Sequence, residues 1–504
     1  LNFKRKTIQL IFIATIIRIA IASIIGLGND EVYYRMYAQD LQWNYFDHPP
    51  MVGWMIRLTT FNLFLDSELF IRCIAIISSA VSTWMIFLCG KKIKDERTGF
   101  IAASMYTATV YGSIISGLFI LPDSPQMIFW SIAVYQLLKI ADHSASKDRN
   151  NNLLMFGLMT GIGMLCKIHT AFLWIGFLMY VLFHERKLFK NPYLYISGII
   201  TVLFFAPVIK WNIDNHFVTY NFHSGRVNDT SGGFNFNTLI TFLSGQVFYS
   251  SVILFPFFII AISGAFKNKW NISVGQNRVL LYISLPLIIV LLVLSCFNTV
   301  FPHWSGPSYF SIVLLASAYF SKKKNAVPAI VKISTGFILF LSIIAVVAIN
   351  NYPGTLGSKK PDRLGEGDFT LDIYGWKDAR DSVRKILEKD DENGIMTKNA
   401  VFISNKWFPA AHIDYYIAIP LKRDLIAVAD TGAIHQYAWI NANRKSLKKG
   451  EDAYCLVPSN YYFDAKEKYA SMFNEMLKPE IFSQIRSGNK CREFYLIRFR
   501  GYKY

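Results

Sequence analysis

Residues 30–54 read DEVYYRMYAQDLQWNYFDHPPMVGW and follow directly on the first long apolar run of the chain, Ile8–Leu27. An acidic pair (Asp30-Glu31), a cluster of tyrosines and an Asp47-His48-Pro49-Pro50 turn stand where the chain leaves that run. Segments that cross a hydrocarbon core avoid polar side chains, so a dense polar and aromatic stretch at the mouth of a span points to chemistry at the bilayer surface. Its aromatic residues also suit an interfacial helix lying along the membrane plane. An aromatic belt with Asp30 and Glu31 merely solvated accounts for the tyrosines, but it leaves the Asp-His-Pro-Pro turn without a reason.

Outward from this stretch, apolar runs near twenty residues recur along a 504-residue chain that is 53% hydrophobic and 16% aromatic. Each can cross a core of about 30 Å. Ile8–Leu27 is too long for a signal-peptide core and no small-residue cleavage site follows it, so it reads as a retained span. About eleven spans are expected by apolar length: Ile8–Leu27, Leu69–Gly90, Phe100–Phe119, Pro125–Ile140, Leu153–Lys167, Ala171–Phe183, Tyr193–Trp211, Leu239–Phe266, Val279–Phe297, Ser308–Phe320 and Ala329–Ile349. The shorter ones imply tilted or locally thin packing.

The formal charge of +18 would suit a nucleic-acid binder, but its distribution argues against one. Basic residues gather in alternate loops: Lys4-Arg5-Lys6, Lys91-Lys92-Lys94-Arg97, Lys147-Arg149, Arg186-Lys187-Lys190, Lys267-Lys269 and Lys322-Lys323-Lys324. Such alternation is the positive-inside pattern. With the amino terminus cytoplasmic, every cluster falls on the inner side, and an odd number of spans puts the C-terminal segment outside. The bilayer is the expected partner and nucleic acid is not. From Tyr352 the composition changes, and a Pro/Gly-rich junction leads into roughly 150 residues of soluble character. The expected organisation is a membrane domain over 1–350, with a first outer loop over 28–68, and a small periplasmic α/β domain over 351–504. Strand-like runs there are Ala400–Ile403, Tyr454–Val457 and Phe494–Phe499; helical ones are Ala379–Glu388, Pro409–Ile417 and Ala465–Leu477. Cys455 and Cys491 fall in this segment, where an oxidising compartment would permit a disulfide between them. No ligand-spaced Cys/His cluster is present, so no structural zinc is expected.

Polar residues that do not look structural sit in four outer loops. Beside the opening stretch stands Pro122-Asp123-Ser124-Pro125; its bland reading is an acid starting the next helix, and its sharper reading is a second carboxylate on the face of Asp30. Lys167, in Leu165-Cys166-Lys167-Ile168-His169, either snorkels to the interface or faces a phosphate at membrane depth. The loop Trp211–Asn237, Gln246 and the turn Phe301-Pro302-His303-Trp304 add Asn212, His216, His223, Arg226 and His303 as phosphate or sugar contacts. Arg18, inside the first span, is costly in lipid and must find a partner or a wet groove.

These residues carry a family likeness. Asp30-Glu31 with Tyr45-Phe46-Asp47-His48-Pro49-Pro50 resembles the first outer loop of the bacterial protein-mannosyltransferase-like glycosyltransferases, whose relatives include the lipid A aminoarabinose transferases and the protein O-mannosyltransferases. Pro122–Pro125, Gly161–Lys167, Pro207–Asn212, His303-Trp304, Gly375-Trp376 and Gln436–Trp439 continue it in order, over most of the chain. The resemblance implies an α-helical polytopic membrane protein of the GT-C fold, an enzyme of the bacterial inner membrane whose active site faces the periplasm. It implies a polyprenyl-phosphate-linked sugar donor bound from the membrane and an acceptor (lipid A or another glycolipid, protein or polysaccharide) approaching from outside. Asp30 falls on the family's first-loop acidic position and Asp123 on its second-loop one, with Glu31 beside the first. Tyr34 matches a tyrosine after the acidic pair. Where the aminoarabinose transferases have an acid–lysine–proline run this chain has Asp47-His48-Pro49, and it has Tyr33 where they carry an arginine. Both departures lower the positive charge near the donor phosphate.

Chemistry fits these residue types. An acceptor hydroxyl is a poor nucleophile that a carboxylate base would activate, and polyprenyl phosphate leaves readily if cations or donors meet its charge. Lys167, His48, Tyr34, Arg226 and His303 are the candidates around the phosphate, and Tyr33, Tyr45, Asp47, Asn212 and Trp304 those of the donor and acceptor pocket. The resemblance favours inversion at the anomeric centre over a covalent route through two acids. Asp123 is left to orient the base, contact the acceptor or help hold a divalent ion; two acids are too few to require a metal, and no cofactor is expected. A monomer is expected. The competing reading is a secondary transporter with an external cap domain, against which stands the lack of inverted repeats and broken midplane helices.

Overall fold

The computed structural model describes residues 2–142, 148–228, 233–322 and 327–504, apart from the side chains of 226–228. Lys147, Lys323 and Lys324 of the expected basic loops, residues 229–232 and the side chain of Arg226 lie outside the described residues. The chain forms two compact units, Leu1–Ala20 with Leu41–Leu341 and Ile21–Asp40 with Ser342–Tyr504. The stretch expected as one outer loop over 28–68 is thus divided between them at Asp40.

The first unit is built from helices. In chain order they are α1 (Phe3–Ile24), then, after α2 (Asn29–Gln39) of the other unit, α3 (Met51–Thr59), α4 (Glu68–Ile93), α5 (Glu96–Thr107), α6 (Asp123–Ile140), α7 (Arg149–Cys166), α8 (Phe172–His184) and α9 (Pro192–Asp214). They continue with α10 (Val218–Asn228), α11 (Phe236–Ser250), α12 (Phe255–Phe266), α13 (Val274–Ser295), α14 (Gly306–Phe320) and α15 (Ala329–Asn351). Every expected span coincides with a helix or helix pair. Among the described residues, five helices are long and apolar enough to cross a membrane, or six if α11 and α12 count as one span. Leu239–Phe266, expected as one straight span, is instead broken at Ser251 and bent by 94°. Phe100–Phe119 likewise leaves the α-helix at Thr107 and passes through a π-helical turn at Tyr111–Ile115.

Apolar side chains point outward along α1, α9 and α15, where Phe12, Leu203 and Ile343 are 64%, 64% and 63% exposed. Water would not tolerate such faces at this extent, whereas lipid does. This is a multi-pass membrane protein. Where no hydrophobic force draws helices together, small residues allow close approach and short hydroxyl bonds hold it. On α7, a Cβ added at Gly157 would come within 2.2 Å of the Ser197 carbonyl oxygen of α9. Ser197 Oγ donates to Leu153 O at 2.6 Å and Thr201 Oγ1 to Gly157 O at 2.8 Å. Arg18 finds its partners in the π-helical turn, donating from Nε to Ser113 O at 3.2 Å and from Nη2 to Gly112 O at 3.5 Å.

The second unit carries a six-stranded sheet of order β2-β1-β3-β6-β4, with β5 also paired to β6. Its strands are β1 (Val401–Ser404), β2 (Leu425–Ala427), β3 (Ala453–Pro458), β4 (Phe473–Met476), β5 (Glu480–Arg486) and β6 (Asn489–Tyr502). Pairing is parallel from β2 through β1 to β3 and antiparallel around β6. The helix α16 (Trp376–Glu392) begins with buried Trp376, whose ring lies 4.4 Å from the Arg492 guanidinium. Buried Arg486 pairs with Asp368 at 3.0 Å and also reaches Thr370, Gly354 and Ile349, so four of its five N–H donors are satisfied. The disulfide weighed between Cys455 and Cys491 is absent, since both are free and buried. In the β3–β6 register Cys455 opposes Ile497, six residues from Cys491, or about 20 Å along a strand, far beyond disulfide reach.

α2 belongs to this unit, and it is packed rather than laid in a membrane interface. Tyr33, Tyr34 and Tyr37 are buried, and Tyr33 sits 4.8 Å from the Trp407 ring.

Candidate active site

In the first unit, three segments remote in sequence converge on one buried charge pair. Asp123 opens α6 directly after Pro122, and it does not act as a simple helix start. Its Oδ2 accepts from Lys167 Nζ at 2.7 Å and its Oδ1 from the Tyr111 hydroxyl at 3.1 Å. Asp123 and Lys167 are 1% and 5% exposed, so the snorkelling reading of Lys167 does not hold. The α7 helix ends one residue earlier, and Lys167 adopts extended backbone that aims its side chain inward. Thr170 then locks this turn by donating to the carbonyl oxygens of Gly163 and Lys167, both at 2.9 Å. Gln126 in turn donates to Thr170 Oγ1 at 2.9 Å. Tyr111 fits because residue 306 is glycine: a Cβ there would lie 2.0 Å from the Tyr111 ring.

Burial works to raise the Asp123 pKa, but the Lys167 charge outweighs it and holds the carboxyl below its usual range. Asp123 is therefore ionised at neutral pH. His303 behaves oppositely: burial pushes its pKa down to about 4, against the pull of Asp123, so the ring is neutral at pH 7.

Trp304 roofs the pair, with Lys167 Nζ 6.0 Å from its ring centroid and His169 5.5 Å away. The turn Pro302–Ser305 that carries His303 and Trp304 is held by Gln246 of α11, which donates to Pro302 O at 3.0 Å and accepts from Ser305 at 2.6 Å and Tyr309 at 3.2 Å. Gln246 is thus a holder of the site. Gly245 beside it lets the turn approach, since an added Cβ would meet Pro302 side-chain carbons at 2.2 Å. Gly245→Ala is expected to cost about 1–3 kcal/mol and to displace Trp304. Thermal unfolding and tryptophan emission check this; an unchanged melting temperature and spectrum would contradict it.

From the pair a cavity of about 450 Å³ opens within the same unit. His48, Lys167, His169, Asn212 and His223 gather at its polar end, and Phe205, Val208, Leu287, Val290, Leu291 and Leu294 form apolar wall. His223 Nε2 donates to Asp47 O at 2.8 Å, which ties the Asp-His-Pro-Pro turn to α10. Asn44 Nδ2 fixes the same turn by donating to Thr219 at 2.8 Å. His169 Nδ1, Asn44 Oδ1 and Asn212 Oδ1 are buried and carry no hydrogen bond among the described residues.

Of the residues singled out in the sequence, Asp47, His48, Lys167, Asn212, His223 and Trp304 line this cavity, and Asp123 holds Lys167. Tyr45 is fully buried and serves the loop, its hydroxyl accepting from Gln42 N at 3.3 Å and its carbonyl from Thr219. Asp30, Glu31, Tyr33 and Tyr34 stand on α2 in the second unit. Glu31 Oε2 accepts from Gly28 N at 2.9 Å and closes its own helix start, while Asp30 in the first turn is exposed. Sequence reasoning missed Tyr111, His169 and Asn44. His169 lay within a motif already quoted, two residues from Lys167; Tyr111 carried no signal, because only tertiary packing brings its hydroxyl to Asp123. Among the described residues no group of three or more His, Cys, Asp and Glu could hold a metal ion.

Residues 47–211, which hold both halves of the charge pair and most of the cavity's polar end, match the model of the dolichyl-phosphate-mannose-protein mannosyltransferase family. The chain is 20% identical over 289 residues to the lipid A galacturonosyltransferase RgtD of Rhizobium johnstonii, a match that covers 57% of this chain and 59% of that relative. The crystal structure of ArnT from Cupriavidus metallidurans bound to undecaprenyl phosphate shares the fold, with a TM-score of 0.63, 12% identity and 98% of each chain covered. Its apo form superposes with a TM-score of 0.62 over the same share. The likeness to these structures shows the GT-C fold. Within that fold class the chain is similar to the PMT-like and ArnT-like glycosyltransferases, the likeness its ordered motifs implied.

Proposed function

We propose that this protein transfers a sugar from a polyprenyl-phosphate carrier to an acceptor at the outer face of the bacterial inner membrane, with inversion at the anomeric carbon. The observation that carries this reading is the form of the cavity, an apolar wall that ends in His48, Lys167, His169 and His223. That is the shape of an isoprenoid chain ending in a phosphate, the kind of ligand bound in the related ArnT structure. An ammonium group has three donors; Asp123 takes one and leaves two for the phosphate. As the carrier departs, negative charge grows on its bridging oxygen, where a preorganised cation and the cavity's other donors are most effective. His169 Nδ1 remains to contact the phosphate or the sugar, and Asn212 Oδ1 to accept from a sugar hydroxyl.

Asp30 is proposed as the base that takes the acceptor's hydroxyl proton, on the strength of its motif position and its exposure at a helix start. Asp123 acts through Lys167 by holding its ammonium in place. The N-terminus is taken as cytoplasmic and the crossings as about eleven, following the alternation of basic loops. No metal or cofactor takes part in this scheme. Photo-crosslinking with a diazirine-labelled polyprenyl phosphate tests the cavity assignment. Labelled peptides from α9, α13 and the His48 turn, competed away by undecaprenyl phosphate, are expected; labelling confined to other helices would contradict it.

A further inference from the structure

The helix that carries Asp30 is tied, at both ends and in the middle, to residues more than 300 positions away. Ahead of it, Leu27 N donates to the Tyr416 hydroxyl at 2.8 Å, and His412 Nε2 lies 3.3 Å from Leu27 O. At its first residue Asn29 Nδ2 donates to Asp372 Oδ2 at 3.0 Å, and the other Asp372 oxygen accepts from Tyr461 at 2.9 Å. Midway, Gln436 N donates to the Tyr33 hydroxyl at 3.0 Å; at the far end Asn443 Nδ2 donates to Asp40 at 2.8 Å. The approach is tight as well, since a Cβ at Gly26 would lie 2.2 Å from Ile373 O.

An 11-residue helix is marginal by itself, so its place is dictated by what it packs on. Resting on the reading of Asp30 as base, we infer that Tyr416 and Asp372 are positioning residues: within the second unit they fix the first turn of α2 and thereby aim the Asp30 carboxylate. They touch neither donor nor acceptor. Their loss should therefore lower kcat and leave donor KM alone, because misplacing a base by a fraction of an ångström slows the step without touching the phosphate contacts.

The test uses the full-length protein in nanodiscs. A panel of undecaprenyl-phosphate-linked sugars (a hexose, a uronic acid and an aminopentose) serves as donor, a total envelope extract as acceptor, and release of undecaprenyl phosphate as readout. Tyr416→Phe removes one hydroxyl without changing shape, and Asp372→Leu removes both acceptor oxygens. Each is expected to reduce kcat about 10- to 100-fold with donor KM within about twofold of wild type. Asp372→Asn keeps an acceptor for Asn29 and can reverse its bond to Tyr461, so it should retain most of the turnover. Thermal unfolding of Tyr416→Phe confirms that the variant is folded. If Asp30→Asn is inactive while Tyr416→Phe and Asp372→Leu turn over like wild type, the positioning inference alone falls. A donor KM that rises in step with the loss of kcat would overturn it too. If Asp30→Asn itself matches wild type, the base assignment falls and takes this inference with it.

Discussion

Asp30→Asn is expected to reduce transfer by about 100- to 10,000-fold, the range a positioned general base contributes. Asparagine keeps the size of the side chain and is well tolerated in the first turn of a helix. The residue is exposed, so folding should survive. The loss should appear in kcat, with donor KM near the wild-type value, since no phosphate contact is removed. Purified variant and wild type compared over a donor concentration series give both numbers. Turnover like that of wild type would remove Asp30 from the role of base.

Lys167→Met should be the more disruptive change to the molecule as a whole. It removes the proposed phosphate cation and also strands the buried Asp123 carboxylate, with the Tyr111 hydroxyl as its hydrogen-bond donor among the described residues. Breaking a buried pair from one side costs ~3–5 kcal/mol, because the remaining charge is uncompensated. The double variant Asp123→Asn with Lys167→Met relieves that charge, so it should recover much of the stability while donor use stays lost. That split separates the structural role of the pair from its role toward the donor. The pH dependence has a definite sign. In the wild type Lys167 depresses the Asp123 pKa, so the pair's contribution is present above the ordinary carboxylate range and is lost as pH falls through the depressed value. In Lys167→Met burial favours the protonated acid instead, so the stability gap between variant and wild type should narrow as pH is lowered. Thermal unfolding over a pH series measures it; a gap that widens toward acid would contradict the pairing.

Much of this arrangement was legible in the sequence, for a physical reason. A polar residue at the end of an apolar run stands out against its background, as Asp123 and Lys167 do, whereas His48 and Trp304 are legible through the Asp-His-Pro-Pro turn and the His303-Trp304 motif. The apolar helices were equally legible, because length and apolarity settle them locally, although five or six of the described ones are long and apolar enough to cross a membrane where about eleven were expected. What escaped depends on tertiary contact. Tyr111 lies inside an apolar run, and its hydroxyl meets Asp123 only because Gly306 makes room for the ring. Leu239–Phe266 read as continuous because its apolar character runs on through Ser251, although Pro256 in the first turn of α12 marks the restart of the helix. In the second unit β1, β3 and β6 were read from their β-branched and aromatic runs, whereas β2 and β5 were not, and the helical pattern expected over Ala465–Leu477 ends at Tyr469 and gives way to β4. The β5–β6 hairpin had a signal that went unused: Ser487-Gly488 takes positive φ at both positions, 47° and 82°, the geometry of a tight two-residue hairpin turn. Nothing local marks α2 as part of the second unit, since its ties to Tyr416, Asp372 and Gln436 span several hundred residues of chain.

Reconstitution decides most directly between sugar transfer and the movement of a solute. The purified protein in sealed vesicles, supplied with undecaprenyl-phosphate-linked sugars and envelope acceptors, should release undecaprenyl phosphate in step with a glycosylated product of inverted anomeric configuration, and should do so only with Lys167 and Asp30 intact. Uptake or efflux of a solute by those vesicles, with every lipid-linked sugar left unconsumed, would contradict the assignment.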